Sequence, residues 1–357
     1  MVVLHIASIN DNHGSGVCVV VPQHVSSQQS FATVGLLNIN NVKFDIIDNM
    51  FLFHKNFEIE DLPVPFKKPD IVIFHEVYRV EYLKISARIR KQGIPYIIIP
   101  HGELRWEAQK KRHYKKVLAN FFMFKQFING ARAIQCLTQK ELDNTHFGEK
   151  KFVGTNGISI PEKHKISFRS RNISFTYIGR LEAHVKGLDL MLEAVRKVED
   201  ELRKNKIVFN MYGPDYRGRY ANIEHLILEN GIGDIVTLHP AVFGDEKEKI
   251  LLDTDIFIQT SRHEGMPMGI LEAMSYGIPC LVTEGTAIAD IVSVNKAGWV
   301  CQTDADSIAD SMKKAIEESK FYMEYSNNAI NAIKNKFLWE NVAFETIEKY
   351  DELLTRF

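Results

Sequence analysis

The sequence has few cysteines and no long apolar run. Its 357 residues include only 4 cysteines, and no two of them form a Cys-x-x-Cys pair. This scarcity disfavours a zinc site or a disulfide framework and predicts buried, reduced thiols, as in a cytoplasmic protein. No apolar run reaches the roughly 18–20 residues that a membrane-spanning helix needs. The first residues, MVVLHIAS, lack a basic flank and therefore predict a β-strand instead of a signal peptide.

The sequence also has almost no net charge, but its two halves differ. In the whole chain 44 basic and 45 acidic residues give a net charge of −1. Residues 1–166 contain 22 Lys and Arg against 15 Asp and Glu, whereas residues 167–357 contain 22 against 30. Because 357 residues exceed what one hydrophobic core usually holds, we predict two domains, one basic and one acidic, with different partners.

Short β-rich apolar runs alternate along the chain with segments of helical periodicity, which predicts parallel sheets covered by helices on both faces. The turn signals and the polar run of residues 154–171 predict the domain boundary. The segment Gly16–Val25 fits either a strand or a helix, and a helix would tolerate Pro22 only in its first turn. The predicted strands are Val3–Ala7, Val34–Ile39, Ile71–Phe74, Tyr96–Ile99, Ala133–Leu137, Ser174–Ile178, Val208–Tyr212, Val236–Leu238, Ile256–Gln259, Pro279–Val282 and Gly298–Val300.

Polar residues follow the carboxyl ends of five of these strands. In an open parallel sheet the ligand crevice lies at that edge, so we expect two sheets that face each other across one cleft. The residues concerned are His75 and Glu76, His101 and Gly102, Gly179 and Arg180, Gly213 and Pro214, and the run Ser261–Glu264.

The most informative stretch is Ser261–Val282, SRHEGMPMGILEAMSYGIPCLV. Its glycines and Pro267 predict that Glu264 lies in a loop and that Glu272 lies in the first turns of the following helix. Backbone N–H groups at such a helix N-terminus bind phosphate, and the two carboxylates can accept hydrogen bonds from sugar and ribose hydroxyls. A nucleotide-sugar offers that combination, but a capped surface helix with a solvated Glu272 fits the spacing equally well.

Two weaker signals accompany this stretch. Arg180 and Lys186, in the segment YIGRLEAHVKGLDLMLEA, have the charges to clamp a diphosphate, although an isolated pair is more often two solvated cations. Gly14, Ser15 and Gly16 follow the first strand and allow close approach of the backbone to a ligand. They do not form the G-x-G-x-x-G fingerprint, and no acidic residue is placed for an NAD ribose, which disfavours a dehydrogenase.

Taken in chain order, GRL-x4-KG, a Gly-Pro pair and the E-x7-E element of EGMPMGILEAMSYGIPCLV resemble the retaining glycosyltransferases of family four. In the first half, IIIPHGELRWEAQKKRHYKK resembles a segment of members that build bacterial polysaccharides. The resemblance covers nearly the whole chain and implies the GT-B fold, an α/β fold with two Rossmann-like, doubly wound domains facing a central cleft. Residues 1–163 would bind the acceptor, with the last helix, 338–357, packing back on them, and residues 164–337 would bind the nucleotide-sugar donor.

The resemblance also implies a role for each motif residue. Arg180 and Lys186 would neutralise the donor diphosphate, Glu264 would hold the sugar and Glu272 the ribose. His101 would face the sugar as a positioning residue in preference to a base. The catalytic candidates are thus His101, Glu264, Arg180 and Lys186, and the donor-binding candidates are Gly14, Ser15, Gly16, Arg180, Lys186, Tyr212, Gly213, Glu264, Gly265, Met266, Met268, Gly269 and Glu272.

The implied chemistry needs no cofactor and no metal ion, because the two cations and the helix dipole stabilise the leaving diphosphate. The leaving phosphate itself would take the proton of the acceptor, so no protein base is required. The acceptor-binding candidates of the first domain are His13, His75, Glu76, Glu103 and Arg105.

The basic excess of the first domain is concentrated in residues 105–125, RWEAQKKRHYKKVLANFFMFK, which we call the basic segment. A basic helix flanked by aromatic residues fits an anionic membrane surface or the diphosphate of a lipid-linked acceptor. A solvated helix whose phenylalanines lie in the core fits as well. Nucleic-acid binding is disfavoured because no recognised motif accompanies the charge.

The sequence therefore predicts a metal-independent retaining glycosyltransferase that moves a hexose from a nucleotide-sugar to a lipid-linked saccharide in O-antigen or capsule synthesis. A UDP-sugar is favoured over a GDP-sugar as the donor. The expected location is cytoplasmic, with peripheral contact at the inner face of the membrane as an option. Two alternatives are a sugar-nucleotide epimerase of the same fold and a catalytically silent nucleotide-sugar-binding subunit.

Overall fold

The computed structural model of the protein describes residues 1–12, 14–55, 57–110, 123–215 and 218–355. His13 and residues 111–122 of the basic segment therefore lie outside the described residues. The chain divides into two compact units: Met1–Gly157 with Trp339–Phe357, and Ile158–Leu338. The division falls within the turn-rich stretch 154–171, and the terminal helix belongs to the first unit.

The first unit contains a sheet of seven parallel strands in the order β3-β2-β1-β4-β5-β6-β7. The central strands are rich in β-branched residues and buried along their whole length, as strands with helices on both faces must be. The strands are β1 Val2–Ala7, β2 Thr33–Asn38, β3 Met50–Leu52, β4 Ile71–His75, β5 Tyr96–Ile99, β6 Ala133–Cys136 and β7 Lys151–Val153. The helices are Gly16–Gln28, Val80–Lys91, Trp106–Lys110, Lys125–Asn129, Gln139–Asp143 and Trp339–Thr355.

The ambiguous segment Gly16–Val25 is helical and forms most of the helix Gly16–Gln28. Pro22 lies in its second turn, so the expectation that Pro22 would be confined to the first turn is wrong. Proline removes one backbone hydrogen bond there. Burial offsets that loss, because Pro22 and its apolar neighbours Val20, Val21 and Val25 are buried and the helix packs against Trp339–Thr355.

The second unit contains a sheet of six parallel strands in the order β10-β9-β8-β11-β12-β13. Apolar clusters cover both of its faces, one around Phe175 and Phe209 and the other around Phe257 and Met274. The strands are β8 Ser174–Ile178, β9 Val208–Tyr212, β10 Val236–His239, β11 Ile256–Gln259, β12 Cys280–Thr283 and β13 Gly298–Cys301. The helices are Ala183–Lys186, Leu188–Lys197, Glu199–Lys204, Arg219–Glu229, Gly244–Asp253, Met268–Ser275, Ala289–Val294, Ala305–Glu317 and Tyr322–Lys336.

Every strand predicted from the sequence is present, with ends that differ by no more than one residue. The strands that the sequence missed, β3 and β7, have three residues each and lie at the two edges of the first sheet. Edge strands are exposed along one side and so give a weak apolar pattern. No helix among the described residues has the length and apolar character needed to cross a membrane.

Candidate functional site

The motif-bearing loops of the second unit follow β8 and β11, which are neighbours in the sheet. The strand order reverses at this point, since β9 and β10 lie on one side of β8 while β12 and β13 lie beyond β11. Sheets of this type bind ligands outside the carboxyl ends of the strands at the reversal. The topology therefore brings residues 179–187 and residues 260–267 together at the place where a ligand crevice is expected.

Lys186 and Glu264 form a buried ion pair at this point. Lys186 Nζ lies 2.6 Å from both carboxylate oxygens of Glu264, and the two side chains are 10% and 14% exposed. Gln259 Nε2 and Ser261 Oγ donate hydrogen bonds to Oε2 of the same carboxylate at 2.9 and 2.8 Å. Both charged residues are donor-binding candidates from the sequence, but their contact with each other was not predicted.

The hydrogen bonds leave capacity for a ligand on both members of the pair. Glu264 Oε2 accepts from Lys186, Gln259 and Ser261, whereas Oε1 accepts from Lys186 alone among the described residues. Burial raises the pKa of the Glu264 carboxyl, but the charge and hydrogen bonds of Lys186 and the bond from Ser261 outweigh it and lower the pKa below its ordinary value. Glu264 is thus ionised at neutral pH and can accept a hydroxyl at Oε1. An ammonium has three N–H donors, so Lys186 retains one for an anion.

The loops that carry this pair are held together by backbone and side-chain contacts. Thr260 Oγ1 donates a hydrogen bond to the carbonyl oxygen of Gly187 at 2.9 Å. Gly187 has a φ of 62°, and a Cβ at this position would collide with the carbonyl oxygen of Thr260, so both its conformation and its surroundings require glycine. Arg262 forms a bidentate pair with Asp189 at 2.6 and 2.9 Å. Lys186 is therefore fixed before any ligand binds.

Arg180 and an aromatic pair lie at the ends of the neighbouring strands β8 and β9. Arg180 is exposed, and its carbonyl oxygen accepts a hydrogen bond from the hydroxyl of Tyr177 at 2.8 Å. The ring of Tyr212 stacks on that of His239, with centroids 4.4 Å apart and planes inclined by 12°. The N–H of Gly213 donates to the carbonyl oxygen of His239 at 3.4 Å. Tyr212 and Gly213 are donor-binding candidates from the sequence, whereas His239 was not predicted.

The helix Met268–Ser275 begins after the loop that holds Glu264 and contains Glu272, as the spacing predicted. Glu272 forms an ion pair with Lys247, which the sequence did not reveal because the two residues are distant in the chain. Lys247 thus contacts the carboxylate that was expected to bind a ribose. A ribose bound there would share the Glu272 carboxylate with Lys247. The other candidates of this stretch are Gly265, Met266, Met268 and Gly269, the last two in the first turn of the helix.

In the first unit, Gly14, Ser15 and Gly16 connect β1 to the helix Gly16–Gln28. Ser15 is the N-cap residue, and its side chain makes no capping hydrogen bond. The N–H groups of Ser15 and Gly14 instead donate to Asn12, at its carbonyl oxygen and at Oδ1, both at 3.0 Å. The loop therefore folds around Asn12.

His101 follows β5 and lies at one end of a series of histidines in the first unit. His75 Nδ1 lies 3.0 Å from His101 Nε2, and His75 Nε2 lies 2.9 Å from His5 Nδ1. His101 has a φ of 47°, which is uncommon for a residue with a side chain. The next N–H, of Gly102, donates to the buried carboxylate of Glu141 at 2.6 Å. Burial lowers the pKa of His101 to about 4, so its ring is neutral near pH 7.

The structure corrects the expectation that His75 is accessible to an acceptor, and it buries a second acceptor-binding candidate, Arg105. His75 is fully buried with both ring nitrogens in contact with other histidines, so in this structure it supports His101 and does not reach an acceptor. Arg105 is 7% exposed and so does not contribute to an exposed basic face. Glu76 pairs with Arg79 at 2.6 Å, and Glu103 accepts a hydrogen bond from a backbone N–H at 2.6 Å. The fifth candidate, His13, lies outside the described residues.

Several residues that contact the candidate site residues and hold them in place were not predicted from the sequence. A usable signal existed for His5 and Gln259, because each is a polar residue within or at the end of an otherwise apolar strand. Asp189, Arg262 and Lys247 gave no such signal, since their roles depend on partners that only the fold brings near.

Comparisons with known proteins agree with this architecture. Residues 159–332 match the family described as glycosyl transferases group 1. The chain is 28% identical over 203 residues to an uncharacterized glycosyltransferase, MJ1607, of Methanocaldococcus jannaschii, covering 54% of this chain and 50% of that protein. It is 21% identical over 295 residues to the GDP-mannose:cellobiosyl-diphosphopolyprenol alpha-mannosyltransferase of Xanthomonas campestris, covering 81% of this chain and 75% of that protein. The chain spans half or less of the length of several curated relatives that it matches.

Among solved structures, Anabaena Alr3699/HepE in complex with UDP and glucose aligns with a TM-score of 0.72 at 15% identity. The alignment covers 99% of this chain and 100% of that chain. Likeness at this level of identity concerns the fold alone. It confirms the predicted fold class, GT-B, an α/β fold with two Rossmann-like units.

We predict that removing one member of the Lys186–Glu264 pair strongly destabilises the fold, because its partner is left buried and uncompensated. Lys186→Met leaves a buried carboxylate without its cation, which typically costs about 3–5 kcal/mol. Lys186→Met combined with Glu264→Gln should cost less than the two single substitutions together, as urea unfolding at pH 7 would measure. The matched control is the pair Arg203–Asp234, whose side chains are 39% and 57% exposed and whose coupling should be much smaller. Equal couplings for the two pairs would contradict the prediction.

Proposed function

We propose that the protein, whose residues 159–332 match the family described as glycosyl transferases group 1, moves a hexose from a nucleoside-diphosphate sugar to a lipid-linked saccharide. We propose further that the anomeric configuration is retained, that no metal ion is needed and that the product extends a bacterial surface polysaccharide of O-antigen or capsule type. The observation that carries the proposal is the buried pair of Lys186 and Glu264 at the reversal of strand order in the second sheet.

The pair supplies complementary groups for the two ends of the bond that would break. The third N–H of Lys186 and the exposed guanidinium of Arg180 would bind the diphosphate, which is most negative when the sugar leaves. Glu264 Oε1 would accept a hydrogen bond from a hydroxyl of the sugar. The N-terminus of the helix Met268–Ser275 adds a positive partial charge in the same stretch of chain.

The proposed reaction balances without a protein base. The bond from C1 of the sugar to the diphosphate oxygen breaks, and C1 bonds to the acceptor hydroxyl oxygen on the same face. The acceptor proton passes to the leaving phosphate. With a pKa of about 4, His101 is a poor base at neutral pH, which favours a role as a hydrogen-bond partner of a substrate hydroxyl.

Further observations concern the donor nucleotide and the acceptor. The ring pair Tyr212–His239 offers an aromatic surface for a nucleobase, with UDP favoured over GDP. The HepE structure contains UDP, whereas the Xanthomonas relative is named for GDP-mannose, so both nucleotides belong in the test. The same relative is named for a diphosphopolyprenol acceptor, which supports a lipid-linked acceptor for this chain.

We predict that purified protein transfers sugar from one member of a panel of UDP- and GDP-sugars to a diphosphopolyprenyl saccharide. The rate should be unchanged by EDTA, and NMR of the product should show the anomeric configuration of the donor. Glu264→Gln removes a charged acceptor from the site and should lower kcat/KM by about 10²–10³-fold. The control Glu224→Gln alters an exposed glutamate of the helix Arg219–Glu229 and should leave kcat/KM unchanged.

Four outcomes of this experiment would contradict the proposal. Loss of transfer in EDTA would rule out a metal-independent mechanism. Inversion of configuration at C1 would rule out a retaining mechanism. Interconversion of nucleotide-sugars without an acceptor would identify an epimerase instead. Tight donor binding without turnover on any acceptor would identify a silent binding subunit.

We also propose that the basic segment 105–125 binds anionic lipid, with Arg105 excluded because it is buried. Near such a surface each basic residue contributes about 1 kcal/mol. Reversal of two charges by Lys111→Glu with Lys115→Glu should therefore weaken cosedimentation with vesicles that contain phosphatidylglycerol by at least about tenfold. The control Lys313→Glu with Lys314→Glu changes two exposed lysines of the second unit and should have little effect. Equal binding by both variants would contradict this proposal.

A further inference from the structure

The loop after β5 makes a tight turn whose central residues are His101 and Gly102. The N–H of Glu103 donates to the carbonyl oxygen of Pro100 at 2.9 Å, which closes a four-residue β-turn. His101 has a φ of 47° and Gly102 a φ of 84°. Positive φ at both central positions defines a type I′ turn, which is uncommon for a residue with a side chain. Such a conformation persists only where the surrounding structure holds it.

Glu141 lies near the start of the helix that follows β6, the neighbour of β5 in the sheet. The N-cap of this helix is Thr138, whose Oγ1 accepts a hydrogen bond from the N–H of Glu141 at 3.1 Å. The sequence Thr-Gln-Lys-Glu is the pattern of a capping box, in which the glutamate folds back on the start of its own helix. Oε2 of Glu141 does so, because it accepts from the N–H of Leu137 at 2.7 Å. The local pattern thus accounts for only one of the two carboxylate oxygens.

The other carboxylate oxygen reaches the turn of the neighbouring loop. Oε1 of Glu141 accepts a hydrogen bond from the N–H of Gly102 at 2.6 Å, across 39 positions of the chain. Glu141 is 1% exposed, so the bond is shielded from water. A hydrogen bond from an N–H group to a carboxylate is about twice as strong as one between neutral groups. The turn is therefore held by a strong contact from outside the loop.

This hydrogen bond selects one of two forms of the turn. The N–H of Gly102 belongs to the peptide between the two central residues. A type II′ turn has positive φ only at its first central residue, and it differs from a type I′ turn in the rotation of that peptide. Rotation would turn the Gly102 N–H away from Glu141 and leave a buried carboxylate oxygen without its donor, which is costly. The carboxylate therefore keeps both His101 and Gly102 at positive φ.

We propose that Glu141 is a positioning residue that fixes the turn of residues 100–103 and thereby the direction of the His101 ring. The ring lies on that of His75, with centroids 5.3 Å apart and planes inclined by 25°. The value of this position for catalysis rests on the proposed function, in which His101 is a hydrogen-bond partner of a substrate hydroxyl. The constraint on the turn does not, because it follows from contacts within the first unit.

Pair-selective NMR of the full-length protein tests the constraint without any substrate. Labelling histidine with ¹³C at the carbonyl and glycine with ¹⁵N selects the two glycines that follow a histidine, Gly14 and Gly102. His13→Gln identifies the Gly14 resonance by removing it. The Gly102 proton should resonate downfield and exchange slowly with D2O, as a buried bond to a carboxylate requires, whereas the exposed N–H of Gly14 should exchange fast. Equally fast exchange at the two glycines would overturn the proposal.

Glu141→Gln removes the charge and leaves one acceptor oxygen for two N–H donors. In either orientation of the new amide, Gly102 loses its bond to a carboxylate. Its proton should therefore move upfield and exchange faster, while the Gly14 resonance stays in place. An unchanged Gly102 resonance in this variant would overturn the proposal. The exchange rates of the wild type decide the matter if the variant does not fold.

The matched control is Thr138→Val, which removes the cap of the same helix and keeps the Glu141 carboxylate. It should leave the Gly102 resonance in place. If Thr138→Val shifts Gly102 as far as Glu141→Gln does, helix capping explains the effect and the proposal is overturned.

The transfer assay tests the link from Glu141 to His101. Glu141→Gln should lower kcat/KM several-fold, and Thr138→Val should leave it nearly unchanged. In a His101→Ala background Glu141→Gln should have no further effect, because both substitutions remove the same interaction. Equal losses in the two backgrounds would overturn the positioning role. If the NMR results hold while no sugar panel supports transfer, the proposed function fails and the constraint on the turn stands.

Discussion

Parallel pairing of every strand in both sheets is the constraint on which the placement of functional groups depends. Parallel strands end at a common edge, so loops that are far apart in the sequence meet there. In the second unit this brings Lys186, which follows β8, to Glu264, which follows β11, across 78 positions of the chain. In the first unit the same constraint aligns β1, β4 and β5, which brings His5, His75 and His101 into one series.

The two units satisfy their buried polar groups by different means. The second unit buries a charge, Glu264, and compensates it with one cation and two neutral donors. The first unit buries three histidines, His5, His24 and His75, and places the half-buried His101 beside them. Burial keeps these rings neutral near pH 7, so they add no net charge to the interior. A compensated charge suits an anionic, hydroxyl-rich ligand, and a neutral imidazole suits a hydroxyl. In the proposed function, the local cations Arg180 and Lys186 offset the acidic excess of residues 167–357 at the place where the diphosphate would bind.

The sequence predicted the fold well because its strands are apolar and bounded by glycine, proline and polar turns. Positions of single motif residues, such as Glu264 in a loop and Glu272 in a helix, followed from the same local signals. Contacts did not follow, because pairs such as Lys247–Glu272 and Arg262–Asp189 depend on the packing of distant elements. His75 is the clearest case in which the sequence misleads. A polar residue at a strand end was expected to be accessible, yet His75 is buried and both of its ring nitrogens contact other histidines.

The central claim is that the Lys186–Glu264 pair forms a donor site for a nucleoside-diphosphate sugar. The most direct measurement is a crystal structure of the full chain with the UDP- or GDP-sugar that supports transfer, or with UDP-glucose and GDP-mannose if none does. We predict a diphosphate oxygen within hydrogen-bond distance of Lys186 Nζ and a sugar hydroxyl hydrogen-bonded to Glu264 Oε1. A nucleotide bound away from the loops after β8 and β11, or no bound nucleotide at saturating concentration, would contradict it.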